Sequence, residues 1–242
     1  KIANATPFIS SYDQGIRGSA SPQDIQTLLE LVYAHIVTPR FVESEFEAPM
    51  AQLKAIVPNM EKTPNFVLQK ELMKTVFNNN PRSQLVSSEL LEKVSLANLE
   101  KAYRLCFANN NGAVVTIVGN VDPEALKPLV ELYLGSLPSA TKPAVWVKDN
   151  NRIRKGMVEN HFNVVMETPK TSIVNVYSAD MEYNLNNDIY LDAVQSILNM
   201  TYTKTLREDE GGTYGASVQK ISSSQPEEYG GIIIVFDTDP ER

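Results

Sequence analysis

The sequence is poor in the residue types that most directly build metal sites and disulfides. Its 242 residues include one cysteine, Cys106, and two histidines, His35 and His161. A single cysteine excludes an internal disulfide, and neither histidine stands in an H-E-x-x-H or H-x-x-E-H motif. These three scattered residues are poor material for a zinc site, and both histidines are interpreted as ordinary, partly buried residues.

Long apolar runs and an excess of positive charge are also missing. The longest strongly apolar run, Ile232 to Phe236, is far shorter than the roughly 20 residues of a membrane-spanning helix. The net charge of −7 argues against nucleic acid as the main partner, because phosphate binding needs a basic face. G-x-S-x-G, G-x-G-x-x-G and P-loop motifs are absent as well, so the common nucleophile and phosphate-binding signatures give no function.

The remaining pattern is that of a mixed α+β protein with mainly antiparallel strands. A strand pair is predicted over residues 2–19, and Ser21-Pro22-Gln23-Asp24 is typical of a helix start for a helix to Val37. Further helices are predicted at 44–57, from Thr63, at 88–94, at 96–107, from Asp122 and at 187–208. Further strands are predicted at 113–118, 157–166, 172–178, 213–221 and 229–236.

Two α+β units in tandem are predicted. Strand-like stretches lead into Ser21-Pro22 near the start of the chain and into Asp239-Pro240 near its end. The units are predicted at 1–138 and 152–242, joined by a linker at 139–151 in which Trp146 suggests docking. Because Asp239-Pro240 begins a helix that does not follow, and because residue 1 is not Met, the chain is expected to be a piece of a longer polypeptide, truncated at both ends.

The most informative segment is LREDEGGTYGASV, which runs from Leu206 to Val218. Arg207 ends the predicted long helix and Tyr214 opens the next strand, across a turn at Gly211-Gly212. A guanidinium and a phenol can both donate hydrogen bonds to a carbonyl oxygen or a developing oxyanion. From the residues alone, a purely structural role stays equally open, and the acidic run 208–210 fits an exposed helix end better than a metal patch.

This segment resembles the Arg/Tyr motif of the pitrilysin or insulinase family of zinc metallopeptidases, which includes the mitochondrial processing peptidases. Further similar stretches are GIRGSASPQDIQTLLELVYAHIVTPRF from Gly15, VVTIVGNVDPEALKPLVELYLGSLP from Val114 and DTDPER from Asp237. Together they span nearly the whole chain in the family order, so the set is much more specific than any one stretch.

The resemblance implies a fold, an activity and different roles for the two halves of the protein. Family members repeat an α+β sandwich unit, usually four times, in two halves that close around an unfolded peptide. The N-terminal half binds zinc, and the C-terminal half supplies the Arg and the Tyr. This chain resembles the later part of the third unit and most of the fourth. Arg207 and Tyr214 would then contact the substrate backbone and stabilise the oxyanion, with Gly211 and Gly212 forming the turn beside them.

The resemblance also implies the partners. Zinc would be bound outside this chain, in the N-terminal half of the same polypeptide, and the chain alone would be inactive because it lacks H-x-x-E-H. The other partner is a peptide substrate, with no nucleic acid and no membrane span. A bacterial periplasmic or envelope location is expected. The alternatives are a catalytically inactive scaffold or partner-binding subunit of the same fold and, less favoured, an unrelated α+β binding domain.

Overall fold

The computed structural model describes residues 2–145, 147, 151–209 and 215–240. The chain folds into two compact units. Unit 1 comprises residues 1–59 and 86–147, and unit 2 comprises residues 60–85 and 148–242. Both contain helices and antiparallel strands, which confirms the α+β class. The division of the sequence into repeats at 1–138 and 152–242 with a linker at 139–151 stays a prediction.

Unit 1 begins with the predicted strand pair. Strands β1 (Ala3–Ile9) and β2 (Gln14–Ala20) form an antiparallel hairpin in which Ala3 lies opposite Ala20. Helix α1 (Ile25–Val37) packs against this hairpin. Gly18 permits the close approach, because a Cβ at this position would lie 2.5 Å from Cδ1 of Leu28 on α1.

The start of α1 differs in detail from the prediction. Pro22–Asp24 forms a single 3-10 turn, and the side chain of Ser21 does not cap it. Instead, the Ser21 hydroxyl donates to Oδ2 of Asp24 at 2.9 Å, and the same oxygen accepts the N–H of Ile2 at 2.8 Å. The carboxylate therefore ties the first residues of the hairpin to the helix start, a tertiary role that the local pattern could not indicate.

The other predicted helices of the first 140 residues are confirmed, with small shifts at their ends. Side chains cap four of them in the expected way: Thr63, Ser87, Ser95 and Asp122 each accept a backbone N–H from the first turn. The helices are α2 (Glu43–Met60), α3 (Pro64–Val76), α4 (Ser88–Glu92), α5 (Leu96–Phe107) and α6 (Pro123–Tyr133).

The predicted buried strand at 113–118 is wrong for this structure. These residues form neither a strand nor a helix, and all of them are exposed, Val114 by 90% and Val118 by 91%. β-branched composition favours a strand only where a neighbouring strand completes the ladder. In the described part of unit 1, no strand pairs with this run.

Unit 2 is built on an antiparallel sheet in the order β3–β5–β4. Its strands are β3 (Thr171–Asp180), β4 (Ala216–Ser223) and β5 (Tyr229–Thr238), close to the predicted bounds. In β5, Gly231 is needed for close packing, because a Cβ there would lie 2.1 Å from the carbonyl oxygen of Tyr177 on β3. The predicted strand 157–166 is wrong: those residues form no strand, and residues 157–160 and 162 line a cavity beside β3.

Helix α7 (Leu185–Tyr202) covers one face of this sheet. Leu191 and Leu198 of α7 pack on a core of Val218, Ile232 and Ile234, whose side chains share one face because they lie opposite one another or two residues apart. The predicted helix to residue 208 is present but changes type, since Thr203–Asp209 continue α7 as a π-helix.

Candidate functional site

The predicted site residues lie at the junction of α7 and β4, and most of them are outside the described residues. Arg207 belongs to the π-helical segment 203–209, of which the backbone is described and the Arg207 side chain is not. Gly211, Gly212 and Tyr214 fall in the segment 210–214, which is not described.

The described residues on either side show how this junction is held. Asn199, in the last turn of α7, donates from Nδ2 to the carbonyl oxygen of Val218 at 3.1 Å. Its Oδ1 accepts the N–H of Val218 at 2.8 Å. One turn earlier on the helix, Oε1 of Gln195 accepts the N–H of Lys220 at 3.2 Å. Two side-chain amides of α7 thus take the place of a neighbouring strand along the outer edge of β4.

These hydrogen bonds satisfy backbone polar groups whose burial without a partner would destabilise the fold. Val218 is 1% exposed, so its N–H and C=O could not be solvated by bulk water. An exposed strand edge can also pair with another chain and cause aggregation, and proteins commonly prevent this by covering the edge. As a consequence, α7 and β4, which flank the segment 203–215, are held in a fixed register with one another.

Ion pairs add to the same junction. Nζ of Lys220 lies 3.0 Å from Oδ2 of Asp188 and 2.7 Å from Oδ1 of Asp192, both on α7. Hydrogen bonds to Asp192 and then to Asp188 raise the pKa of Lys220 above its ordinary value. The ammonium therefore stays charged at all physiological pH values and links β4 to the first half of the helix.

The other side of α7 is apolar and exposed. Six large hydrophobic residues lie on it, with exposed fractions from 42% to 74%: Leu185, Ile189, Tyr190, Val194, Ile197 and Met200. A surface helix normally carries polar residues on its outer face, and a helix that is apolar all round is typical of the interior of a larger protein. This face therefore favours burial of α7 in a larger assembly.

A cavity of unit 2 lies on the opposite face of the sheet. About 760 Å³ of space separates α3 from β3, with Leu68 and Leu72 on one side and Val174 and Val176 on the other. The irregular segment 152–160 lines it and is tied to α3, because Nδ2 of Asn160 donates to Oγ1 of Thr75 at 2.8 Å.

The rim of this cavity is charged. Arg152 pairs with Glu227 at 3.0 Å, and Lys155 pairs with Asp180 at 2.6 Å. The hydrogen bond and the charge of Lys155 lower the pKa of Asp180. Residues 157–160 and 162 of the run 157–166 themselves line the cavity, and only residues 167–170 separate this run from β3.

The histidines are not arranged as metal ligands. Nε2 of His35 lies 3.1 Å from the carbonyl oxygen of Ala5, and this histidine is partly buried as predicted. The same prediction is wrong for His161, whose side chain is 88% exposed, with Nε2 3.6 Å from Oε2 of Glu159. Among the described residues, no group of three His, Cys, Asp or Glu side chains could hold a metal ion. The described residues therefore do not fit a zinc site.

The comparisons with known proteins decide the family. The family described as "Peptidase M16 inactive domain" matches residues 93–242, which is more than half of the chain. The chain belongs to this family. As an M16 inactive domain, it shares its fold with solved proteases: the periplasmic protease PqqL from Escherichia coli matches 99% of this chain with a TM-score of 0.83 at 18% identity.

Two further relatives agree with this assignment. The ferredoxin protease FusC, solved as a mutant in complex with Arabidopsis ferredoxin, matches 99% of this M16 inactive domain with a TM-score of 0.80 at 21% identity. A "Zinc protease PQQL-like" protein of Arabidopsis thaliana is 28% identical over 125 residues, 50% of this chain. The chain covers 26% of each solved protease and 13% of the plant protein.

The relatives of this M16 inactive domain are thus proteases, including a zinc protease and a periplasmic one. In the described part of the chain, no helix is both long and apolar enough to cross a bilayer. Sequence reasoning missed Asn199 and Gln195, although their spacing of four on a helix puts both amides on one face. Only the position of β4 beside that face reveals their role.

Proposed function

We propose that this chain is the non-zinc, C-terminal part of a zinc metalloendopeptidase that cleaves unfolded peptides or small proteins. Arg207 and Tyr214 donate hydrogen bonds to the substrate backbone, Tyr214 to the oxyanion of the cleaved peptide and Arg207 to a neighbouring carbonyl. Gly211 and Gly212 let the chain turn sharply between them. Such donors act most strongly when they are held in place before the reaction.

The observation that carries this proposal is the clamp of Asn199 on Val218 at the α7–β4 junction. It holds α7 and β4, the two elements that flank the segment containing Arg207 and Tyr214, side by side, which supports a site at this junction. The π-helical turn at 203–209 supports the proposal further, since π-helical segments are frequent at functional sites.

The relatives support the substrate class and the location. FusC is a ferredoxin protease, which favours a small protein as the substrate of this chain too. PqqL is periplasmic, which favours the bacterial periplasm or envelope. The catalytic zinc would be held by the N-terminal half of the same polypeptide, because the described residues of this chain do not fit it.

A second candidate function is a catalytically inactive scaffold or partner-binding subunit of the same fold. The exposed apolar side of α7 favours it, since that side is suited to binding another part of a protein. In that case Arg207 and Tyr214 would only hold the helix end to the strand.

The two candidates are separated by kinetics of the complete polypeptide on an unstructured peptide. We expect Tyr214→Phe and Arg207→Ala each to lower kcat/KM about 100-fold, since removing one oxyanion donor typically costs about 2.7–4 kcal/mol. Zinc content and the unfolding temperature should stay unchanged.

Two substitutions of the same chemical kind serve as matched controls. Lys204→Ala removes a cation from the same π-helical segment, and Tyr190→Phe removes a phenol that is exposed on α7. Both should leave kcat/KM within about threefold of the wild type, a change of about 0.7 kcal/mol or less. If Tyr214→Phe and Arg207→Ala also stay within threefold, the scaffold function is the correct one.

A further inference from the structure

We infer that residues 113–118 are a docking strand, which pairs with a β-strand of the same polypeptide outside these 242 residues. The inference rests on the proposed function in that both take this chain to be part of a longer polypeptide. It concerns a surface of unit 1 that has no role in the proposed site. It follows from the contrast between the sequence of this run and its surroundings in unit 1.

The sequence of the run is that of an interior strand. In a strand, Val114, Thr116 and Val118 would face one way and Val115 and Ile117 the other. Both sides are thus β-branched, and four of these five residues are apolar. Strands at the surface of a sheet alternate between apolar and polar residues, whereas strands covered on both faces are continuously apolar.

The structure leaves this run without the neighbours that such a strand needs. Val114 and Val118 are 90% and 91% exposed, Val115 is 56% exposed and Ile117 is 37% exposed. In the described part of the chain, no backbone hydrogen bond involves residues 114–118. The run therefore presents both a row of peptide groups and apolar side chains, which together favour a partner that is itself an extended strand.

The entry into the run is nevertheless fixed. Three consecutive asparagines clamp it to the segment 138–142. Nδ2 of Asn109 donates to Lys142, Nδ2 of Asn110 to Pro138 and Nδ2 of Asn111 to Ala140, each to the backbone carbonyl at 2.8–2.9 Å. Because the run starts from a fixed position, it loses less conformational entropy when an extended partner pairs with it.

The length of the solved relatives indicates where the partner strand lies. FusC and PqqL each match 99% of this chain, yet the chain covers only 26% of either. About three quarters of a polypeptide of that kind lies outside the matched residues and is available to supply a strand. A partner in the same polypeptide also has the advantage of a high effective concentration over any separate molecule.

The test is hydrogen exchange of the amides of Val115–Val118 in the 242-residue chain and in the complete native polypeptide. We expect exchange at least about 100-fold slower in the complete polypeptide, because a paired strand exchanges only through opening. Equal exchange in the two proteins would overturn the inference. So would a native polypeptide no longer than these residues, or slow exchange in the 242-residue chain that grows with its concentration, which would identify a second copy as the partner.

A matched pair of variants adds a second readout. Val115 and Val86 are almost equally exposed, by 56% and 55%, and both belong to unit 1, but only Val115 lies in the run. We expect Val115→Asp and Val86→Asp to leave the melting temperature of the 242-residue chain nearly unchanged. In the complete polypeptide, only Val115→Asp should lower it and speed exchange at the other amides of the run.

Equal melting temperatures for the two variants in the complete polypeptide would contradict the inference. These readouts need no peptidase activity, so they stay informative if the Arg207 and Tyr214 proposal fails. Conversely, a loss of activity in the Arg207 and Tyr214 variants does not by itself support pairing at 113–118.

Discussion

Substitution of Asn199 by alanine tests the clamp between α7 and β4. The change removes two hydrogen bonds, at 3.1 and 2.8 Å, and leaves the N–H and C=O of Val218 without partners at a residue that is 1% exposed. A hydrogen bond contributes about 1 kcal/mol net, and a buried polar group left unsatisfied costs about 1–3 kcal/mol. Alanine recovers about 0.5 kcal/mol through its helix propensity. Two unsatisfied groups at about 1–3 kcal/mol each, less this ~0.5 kcal/mol, give an expected loss of about 1.5–5.5 kcal/mol.

The assay is urea unfolding followed by circular dichroism, together with hydrogen exchange at β4. Exchange is the sharper probe because the chain has two compact units, and a single global transition is not guaranteed. The amides of Val218 and Lys220 should exchange faster in Asn199→Ala, while those of β1 and β2 in unit 1 should be unaffected.

The control is Asn186→Ala, the same chemical change at an exposed position of the same helix, where no hydrogen bond of the side chain is found among the described residues. It should alter the free energy of unfolding by less than about 0.5 kcal/mol. A loss below that value for Asn199→Ala would refute the clamp. Gln195→Ala, which removes one longer hydrogen bond, should fall between the two. In the complete polypeptide, Asn199→Ala should also lower kcat/KM if the clamp positions Arg207 and Tyr214.

Two further predictions concern the sheet of unit 2. Burial works to raise the pKa of Asp237, but its bonds with Lys170 and Ser172 outweigh burial and hold that pKa below the usual value. Because the unfolded chain binds the proton more tightly, this carboxylate contributes stability at neutral pH that is lost as the pH falls below about 4. In urea unfolding at a series of pH values, the wild type should therefore lose its advantage over Asp237→Asn in that range, and a constant difference would contradict the assignment. Gly231→Ala should destabilise the sheet by about 1–3 kcal/mol through overpacking. Gly215→Ala, where a Cβ meets open space, should change thermal stability much less, and equal effects of the two would contradict the packing argument.

The run 157–166 shows the limit of local patterns in unit 2. A connection of only four residues, 167–170, separates it from β3, and its composition predicts a strand. In the structure it forms no strand; residues 157–160 and 162 line the cavity between α3 and β3, and Asn160 bonds to Thr75 of α3.

The α+β class, most helix bounds and the family resemblance could be predicted from the amino-acid sequence alone. Helix caps such as Ser95 and Asp122 are local, because the side chain bonds a backbone N–H two or three residues away. The spacing between Arg207 and Tyr214 is likewise readable from the sequence and marks the same junction whose two ends the structure holds in register.

Which strands form, and what fixes the junction, depends on contacts between distant segments. The runs 113–118 and 157–166 have strand composition, but a strand needs a partner, and that partner is set by contacts distant in sequence. The spacing of Asn199 and Gln195 places both amides on one helix face but does not reveal their role, which depends on β4 lying alongside α7 with its outer edge free of a neighbouring strand. Hydrogen-bond satisfaction between distant segments is a property of the folded chain, and a single sequence does not contain the distances that decide it.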